Sequence, residues 1–295
     1  MADTADFSAP VTCARVAAVH GDLSTCVRLI GTTDETWVNS GNYVAIQGFD
    51  ITGGGQNGIA TLGNATRITG NHIHDMMTDT CNSNGGSGIN LDGTNAEVNG
   101  NYVHNIGPYP SPCGYIHGIY FTHSGGFAYN NISFNNSGFG IQLWHFPGNI
   151  ALVNNTIFNN ASGGIVLGTD NNFLVDHVTV SNNLVVDNNG VGIEEQGWSA
   201  VIMGVHNVYS HNLVAENANG GIKLFNGLTA IATILTPPHF VEYTGTSSGD
   251  YRLASQSAGI NGATNSAPAT DFDGTPRPQH GGYDVGAYEY LSPVK

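Results

Sequence analysis

The chain has 295 residues and a mass of 30.8 kDa; 10% of its residues are charged, and 7 Lys and Arg against 22 Asp and Glu leave a formal net charge of −15. That balance repels phosphate backbones and anionic lipid surfaces, and no apolar run approaches the ~20 residues of a membrane span, so neither nucleic acid nor a membrane is an expected partner. One main domain in a monomer is expected, because repetitive β folds run well past ~200 residues as a single unit.

The opening MADTADFSAP lacks the basic-then-apolar order of a signal peptide, so the protein is either intracellular or has its export signal outside this sequence. Residues 1–41 form the expected N-terminal cap region. From 42 to 227 a Gly-Ile pair recurs, in NGIATLG, SGINLDG, HGIYFTH, FGIQLWH, GGIVLGT, VGIEEQG and GGIKLFN. The glycines are Gly58, Gly88, Gly118, Gly140, Gly164, Gly192 and Gly221, spaced by 30, 30, 22, 24, 28 and 29 residues. Seven copies at such a period mean a solenoid. A second element precedes most copies, as in GNHIHD, GNYVHN, YNNISFN, VNNTIFN, SNNLVVDN and SHNLVAEN, and a third short apolar stretch leads in. Three β-rich stretches per period, separated by Gly/Asn turns and free of helical periodicity, predict an all-β fold: a three-sheet parallel β-helix.

Alternation by two assigns the faces. Ile59, Ile89, Ile119, Ile141, Ile165, Ile193 and Ile222 point inward, joined by Thr61, Leu91, Phe121, Leu143, Leu167 and Leu224. Successive coils stack ~4.8 Å apart, so the turn residues Asp75, Asn105, Asn159 and Asn217 are expected to form a side-chain ladder. Glu195 falls on the inward face and needs a bulge, a strand end or an internal partner.

NYVAIQGFDITGG, the Gly-Ile rungs and NNTIFNN resemble the right-handed parallel β-helix proteins of the pectate-lyase-like superfamily, over roughly 42–226. In residues 228–295, HFVEYTGTSSGDYRLASQSAGI followed by DFDGTPRPQHGGYDVGAYEY resembles the C-terminal segment that closes many secreted bacterial members, implying a capping segment packed across the last coil. Asp271, Asp273 and Asp284 there serve turns and caps, or alternatively hold Ca²⁺. The superfamily contains lyases, hydrolases, epimerases and non-catalytic surface proteins, so the resemblance implies fold rather than activity.

Outward residues then become columns. Two positions past each glycine stand Ala60, Asn90, Tyr120, Gln142, Val166, Glu194 and Lys223; four past it stand Leu62, Asp92, Thr122, Trp144, Gly168, Gln196 and Phe225. Hydrogen-bonding and aromatic groups on one flat face suit a sugar chain, and Asn90, Asp92, Gln142, Trp144, Glu194 and Lys223 are the expected substrate-binding residues. A solvated sheet face is the other reading, with Glu194 and Lys223 as a cross-strand ion pair. One position further, His123 and His145 stack in adjacent coils, near Asp92 and Tyr120. His117, Tyr120, His123 and His145 are the candidate catalytic groups; His123, His145 and Asp92 are a weak metal set, and no metal ligand is assigned. HGI also resembles an element of polygalacturonases, but the paired aspartates and the Arg-Ile-Lys element of those hydrolases have no counterpart. His74 and His104 form a second pair on the neighbouring sheet, read as ordinary outer-face residues.

Lengthened turns precede Gly88 and Gly118 and hold Cys81 and Cys113. Such loops would wall the site, and their positions in neighbouring coils suit a disulfide, with Cys13 and Cys26 closing the N-terminal cap. Paired cysteines favour a secreted or cell-surface protein. The expected chemistry is β-elimination on a uronic-acid-containing polysaccharide. A histidine would be the base and Tyr120 base or acid, Asn90 and Gln142 would neutralise the carboxylate, and Ca²⁺ is a possible aid because cations are scarce. A glycoside hydrolase is the alternative. Asp92 and Glu194 lie four coils apart, about 19 Å, so it would recruit loop acids such as Asp75, Asp79 or Asp170. A non-catalytic glycan-binding protein stands third.

Overall fold

The computed structural model describes residues 12–76, 81, 85–170, 172–196 and 202–292. Three parallel sheets of eight, eight and seven strands wind into a solenoid. The helical elements are short, α1 (Cys13–Ala18) and a 3-10 turn at Leu23–Thr25.

The cleft sheet carries the Gly-Ile strands: Trp37–Asn39, Ile59–Thr61, Gly86–Leu91, Ile116–Phe121, Phe139–Leu143, Gly163–Gly168, Val191–Gln196 and Ile222–Lys223. The isoleucines register rung over rung, as in Ile89↔Ile119↔Ile141, and those from Ile59 to Ile193 are fully buried. Glycine recurs before each isoleucine because a neighbouring sheet's interior side chain reaches that spot. An added Cβ at Gly88 would meet Val103 at 2.5 Å and the Gly118 carbonyl at 2.8 Å; at Gly140 it would meet Ile157 at 2.4 Å. The ruler in the sequence is therefore a packing constraint. Glu195 takes the inward place beside Leu167 and finds internal partners. Its Oε1 accepts from Tyr209 Oη at 2.7 Å and Asn207 Nδ2 at 3.1 Å, and its Oε2 accepts from the Phe225 amide at 2.7 Å.

Two asparagine ladders brace the turns. In Asn71, Asn101, Asn131, Asn155, Asn183 and Asn212, each Nδ2 donates to the next Oδ1 at 2.9–3.1 Å and to a carbonyl of an adjoining coil. A second ladder runs through Asn136, Asn160, Asn188 and Asn217 at 2.8–2.9 Å. Asn217 of the expected set belongs to this ladder, whereas Asp75, Asn105 and Asn159 fall one residue before it and pair in an outer row, Asn105 Nδ2 donating to Asp75 Oδ1 at 2.8 Å and Asn159 Nδ2 to Asn135 Oδ1 at 2.7 Å. These adopt φ of 49–55°, the left-handed region that Asp and Asn tolerate, and turn their side chains outward.

The second sheet, hereafter the covered sheet, comprises Val27–Gly31, Phe49–Gly53, His72–Met76, Tyr102–Ile106, Ile132–Phe134, Thr156–Phe158, Leu184–Val186 and Leu213–Ala215. Its outer face is a second core. Tyr102, Phe134, Phe158, Leu184 and Leu213 are buried beneath α1 and the C-terminal residues Tyr251, Leu253, Phe272, Val285 and Tyr288. Only the start of the tail crosses the last coil, through bridges Ser210↔Ile231 and Leu213↔Ile234. The remainder runs along the flank, where Asn130 donates to the Thr270 carbonyl and Asn154 to those of Asp284 and Gly286. Asp271 accepts the Thr275 and Glu289 amides, and Asp284 those of Asn261 and Tyr290, so both hold turns. Buried Arg277 pairs with Glu289 at 2.8 Å.

Candidate active site on the Gly-Ile sheet

The outer face of the cleft sheet is hollowed into a cleft of about 650 Å³. Neighbouring strands supply its floor: Ser87 and Asn90, then His117 and Tyr120, then Phe139 and Gln142, and finally Gln196. Gly85, Gly114 and Tyr115 form one wall, at the two lengthened turns. Disulfide Cys81–Cys113 ties those turns together, and Cys13–Cys26 closes the N-terminal segment, both as the sequence suggested. Asp79 lies outside the described residues.

Tyr120 stands between two histidines, its ring centroid 5.2 Å from His117 and 6.1 Å from His145. Burial pushes its phenol above the ordinary value, with the Gln142 amide opposing, so the hydroxyl is protonated at neutral pH. His117 is buried and burial pushes it down to about 3, so it is neutral. Its Nδ1 accepts the Phe139 amide at 3.2 Å, which fixes the tautomer and leaves Nε2–H as a donor. Gly138 makes this approach possible, since a Cβ there would collide with His117 Nδ1 and the Ile116 carbonyl. The two groups are thus donors at rest rather than ready bases.

His145 reached the cleft by a route that alternation did not reveal. The connection from Leu143 to Ile150 is two residues longer than that from Phe121 to Gly126, and His145 takes φ 69°, held by Thr169 Oγ1 donating to its carbonyl at 2.8 Å. The bulge breaks the expected column. Phe146, not His145, lies beside His123, at 5.6 Å between centroids, and the Phe146 amide bonds the Thr122 carbonyl. His123 contacts Thr122 Oγ1 at 2.8 Å and does not line the cleft that brings His117, Tyr120 and His145 together. The His123, His145 and Asp92 ligand set is likewise not assembled. His145 Nδ1 lies 2.8 Å from Asp170 Oδ1, an acid from the next coil that orients the ring and leaves Nε2 available.

Among the expected substrate-binding residues, Asn90, Gln142 and Trp144 line the cleft. Asn90 Nδ2 donates to Asp92 Oδ2 at 3.2 Å, while its buried Oδ1 has no partner, so it offers an acceptor rather than a neutralising donor. Asp92 stands behind the floor, bound also by Thr122 Oγ1 at 2.8 Å, and acts on the cleft only through Asn90. The Trp144 indole lies over Gly168, where any side chain would collide with it. Glu194 and Lys223 are not lining residues: they face each other across strands at 4.0 Å, and Gln196 Nε2 donates to Glu194 Oε1 at 2.5 Å. Burial pushes the Glu194 carboxyl up. Ser87 and Phe139 are cleft residues that sequence reasoning passed over, while Gln196 stood only in the outward column and Asp170 only among the loop acids of the hydrolase alternative. Asp170 is the one carboxylate among the described lining residues and is engaged by His145, so the six to eight oxygens that Ca²⁺ takes do not converge there.

The model of the family described as right handed beta helix region matches residues 36–204. The chain belongs to that family. Among solved structures, a pectate lyase, Pel9A, is similar at 14% identity and a TM-score of 0.58, over 92% of this chain and 81% of that one. A mutant of the periplasmic alginate epimerase AlgG is similar at 13% identity and a TM-score of 0.51, over 70% of this chain. This chain spans about half, 50%, of the epimerase's length. At such identities the likeness shows the right-handed parallel β-helix fold. No curated protein sequence matches the chain.

Proposed function

We propose that the protein is a polysaccharide-active enzyme that cleaves a uronic-acid-containing glycan by β-elimination. The observation that carries this reading is Tyr120 between His117 and His145 in one cleft, with His145 oriented by Asp170. His145 Nε2 takes the proton on the carbon bearing the uronate carboxylate. Gln142 and His117 Nε2–H donate hydrogen bonds to that carboxylate as charge develops on it, supplying by neutral donors what a cation-poor cleft lacks. The electron pair left behind forms the C4–C5 double bond as the C4–O4 bond breaks, and the Tyr120 hydroxyl protonates the departing O4. Asn90 forms part of the floor under the sugar chain, and the Trp144 indole offers a face to a pyranose ring. Both disulfides suit an oxidising compartment, which supports a secreted or cell-surface location.

A polysaccharide panel tests the proposal when read at once for ultraviolet absorbance of unsaturated products and for new reducing ends. Both signals together are expected. Reducing ends alone would instead mark a hydrolase, and neither signal on any uronate polymer would leave a binding protein.

A further inference from the structure

Three histidines and two aspartates crowd one end of the covered sheet's outer face. Asp50 registers with His72 and Thr52 with His74 in the next strand, and His74 registers with His104 in the one after. Side chains two apart on a strand share a face, so Asp50, His72, His74 and His104 point the same way. His72 Nδ1 lies 2.8 Å and His74 Nε2 3.0 Å from a single oxygen, Asp50 Oδ1. His72 Nδ1 is buried, its side chain being 6% exposed, and this contact with Asp50 is its one polar contact.

The far atom of each group is tied elsewhere. His74 Nδ1 sits 2.7 Å from Asp75 Oδ2, His72 Nε2 sits 2.9 Å from His104 Nε2, and Arg28 Nε donates to Asp50 Oδ2 at 2.5 Å. Outer contacts of this kind orient the lone pairs of metal ligands toward a common centre. A cavity of about 300 Å³ opens against the cluster, bordered by His20, Tyr102 and Asn105.

We propose that His72 Nδ1, His74 Nε2 and Asp50 Oδ1 bind a first-row divalent transition ion of the zinc class, with the cavity leaving a further position for water or another ligand. Two imidazole nitrogens and one carboxylate oxygen select such an ion over Ca²⁺ or Mg²⁺, which want oxygen sets. Donors ~2.0–2.1 Å from a tetrahedral ion stand roughly 3.3 Å apart, so each imidazole nitrogen need move from Asp50 Oδ1 by only a few tenths of an ångström, and the three ligand atoms already lie within 4.8 Å of one another.

The full-length chain, prepared without a histidine tag and stripped with EDTA, is titrated with ZnCl₂ by calorimetry and melted with ZnCl₂ or CaCl₂. Zinc uptake and a rise in melting temperature with Zn²⁺ alone are expected, and His72→Gln and His74→Gln should each lose one equivalent. Asp176, His177 and His206 form an exposed cluster elsewhere, so a His177→Gln/His206→Gln double variant should keep that equivalent. No uptake by the parent overturns the proposal, as does uptake that survives both single variants or disappears in the double variant. Should the single variants fail to fold, CoCl₂ bound to the parent decides: intense visible absorbance of a four-coordinate site supports the proposal, and its absence overturns it.

Discussion

The cleft sheet and the covered sheet are built from the same coils, and each turns a row of histidines and aromatics outward, yet one row lines an open cleft and the other is largely covered. On the cleft sheet His117, Tyr120, Gln142 and His145 surround an open hollow. On the covered sheet Tyr102, Phe134 and Phe158 lie beneath a helix from one end of the chain and a tail from the other. Outward in a β-helix therefore does not mean exposed. What separates the faces is the outward residues: the covered strands ISF, TIF, LVV and LVA turn Ile132, Phe134, Phe158, Leu184 and Leu213 outward, whereas the cleft strands turn Asn90, Tyr120 and Gln142 outward.

The sharpest way to break the contrast is to remove the cover. A chain ending at Gly227 exposes Phe134, Phe158, Leu184 and Leu213, each worth about 1.5–3 kcal/mol when buried, against a typical net stability of about 5–15 kcal/mol. Loss of the cooperative melting transition is expected in calorimetry; an unchanged melting temperature would mean that the second core stabilises nothing. On the cleft sheet the same scale of loss should fall on turnover instead. Tyr120→Phe is expected to lower kcat by about 10²–10⁴, with KM and the melting temperature nearly unchanged, and full activity would remove Tyr120 from the chemistry. His145→Gln should cost about 10², and Asp170→Asn less, because that carboxylate acts by orienting the ring. Equal losses would show that Asp170 does more than hold it.

Acid separates the faces more gently. Burial holds folded His117 at about 3 against an ordinary 6.5, so between those values the unfolded chain binds a proton that the folded chain refuses. Its contribution is full above pH 6.5 and is lost as pH falls through the window. His104 on the covered sheet, pushed well below its ordinary value by burial, acts in the same direction. His117→Asn should therefore flatten, but not abolish, the fall in melting temperature between pH 6.5 and 4; an unaltered slope would count against the neutral buried ring. The smallest effect is expected at His123→Gln, within about twofold of parental kcat, and a larger loss would return that residue to the site.

The coil, its inward isoleucines and both disulfide pairs were legible because they follow from period, alternation and the space available at Gly88 or Gly140. His117, Tyr120 and Gln142 were legible for the same reason, as they sit inside strands whose register is regular. His145 could not be placed by counting, since its left-handed backbone swings it away from His123, and Asp170 follows only once His145 is placed. The cover over Tyr102 and His104 left a trace in the apolar triplets LVV and LVA and in the outward Phe134 and Phe158, but which distant segment supplies it depends on pairings that no local pattern encodes.

Arg15 Nε donates to the Phe272 carbonyl, joining residues 257 positions apart. Neighbouring rungs need only a few tens of residues of chain to close, so the coil can zip in the order in which a ribosome delivers it. The latch between Arg15 and Phe272 obeys another clock. The helix that carries Arg15 must wait, its alanine face bare, until the stretch holding Phe272 has followed, and through that interval it lies open to foreign contacts.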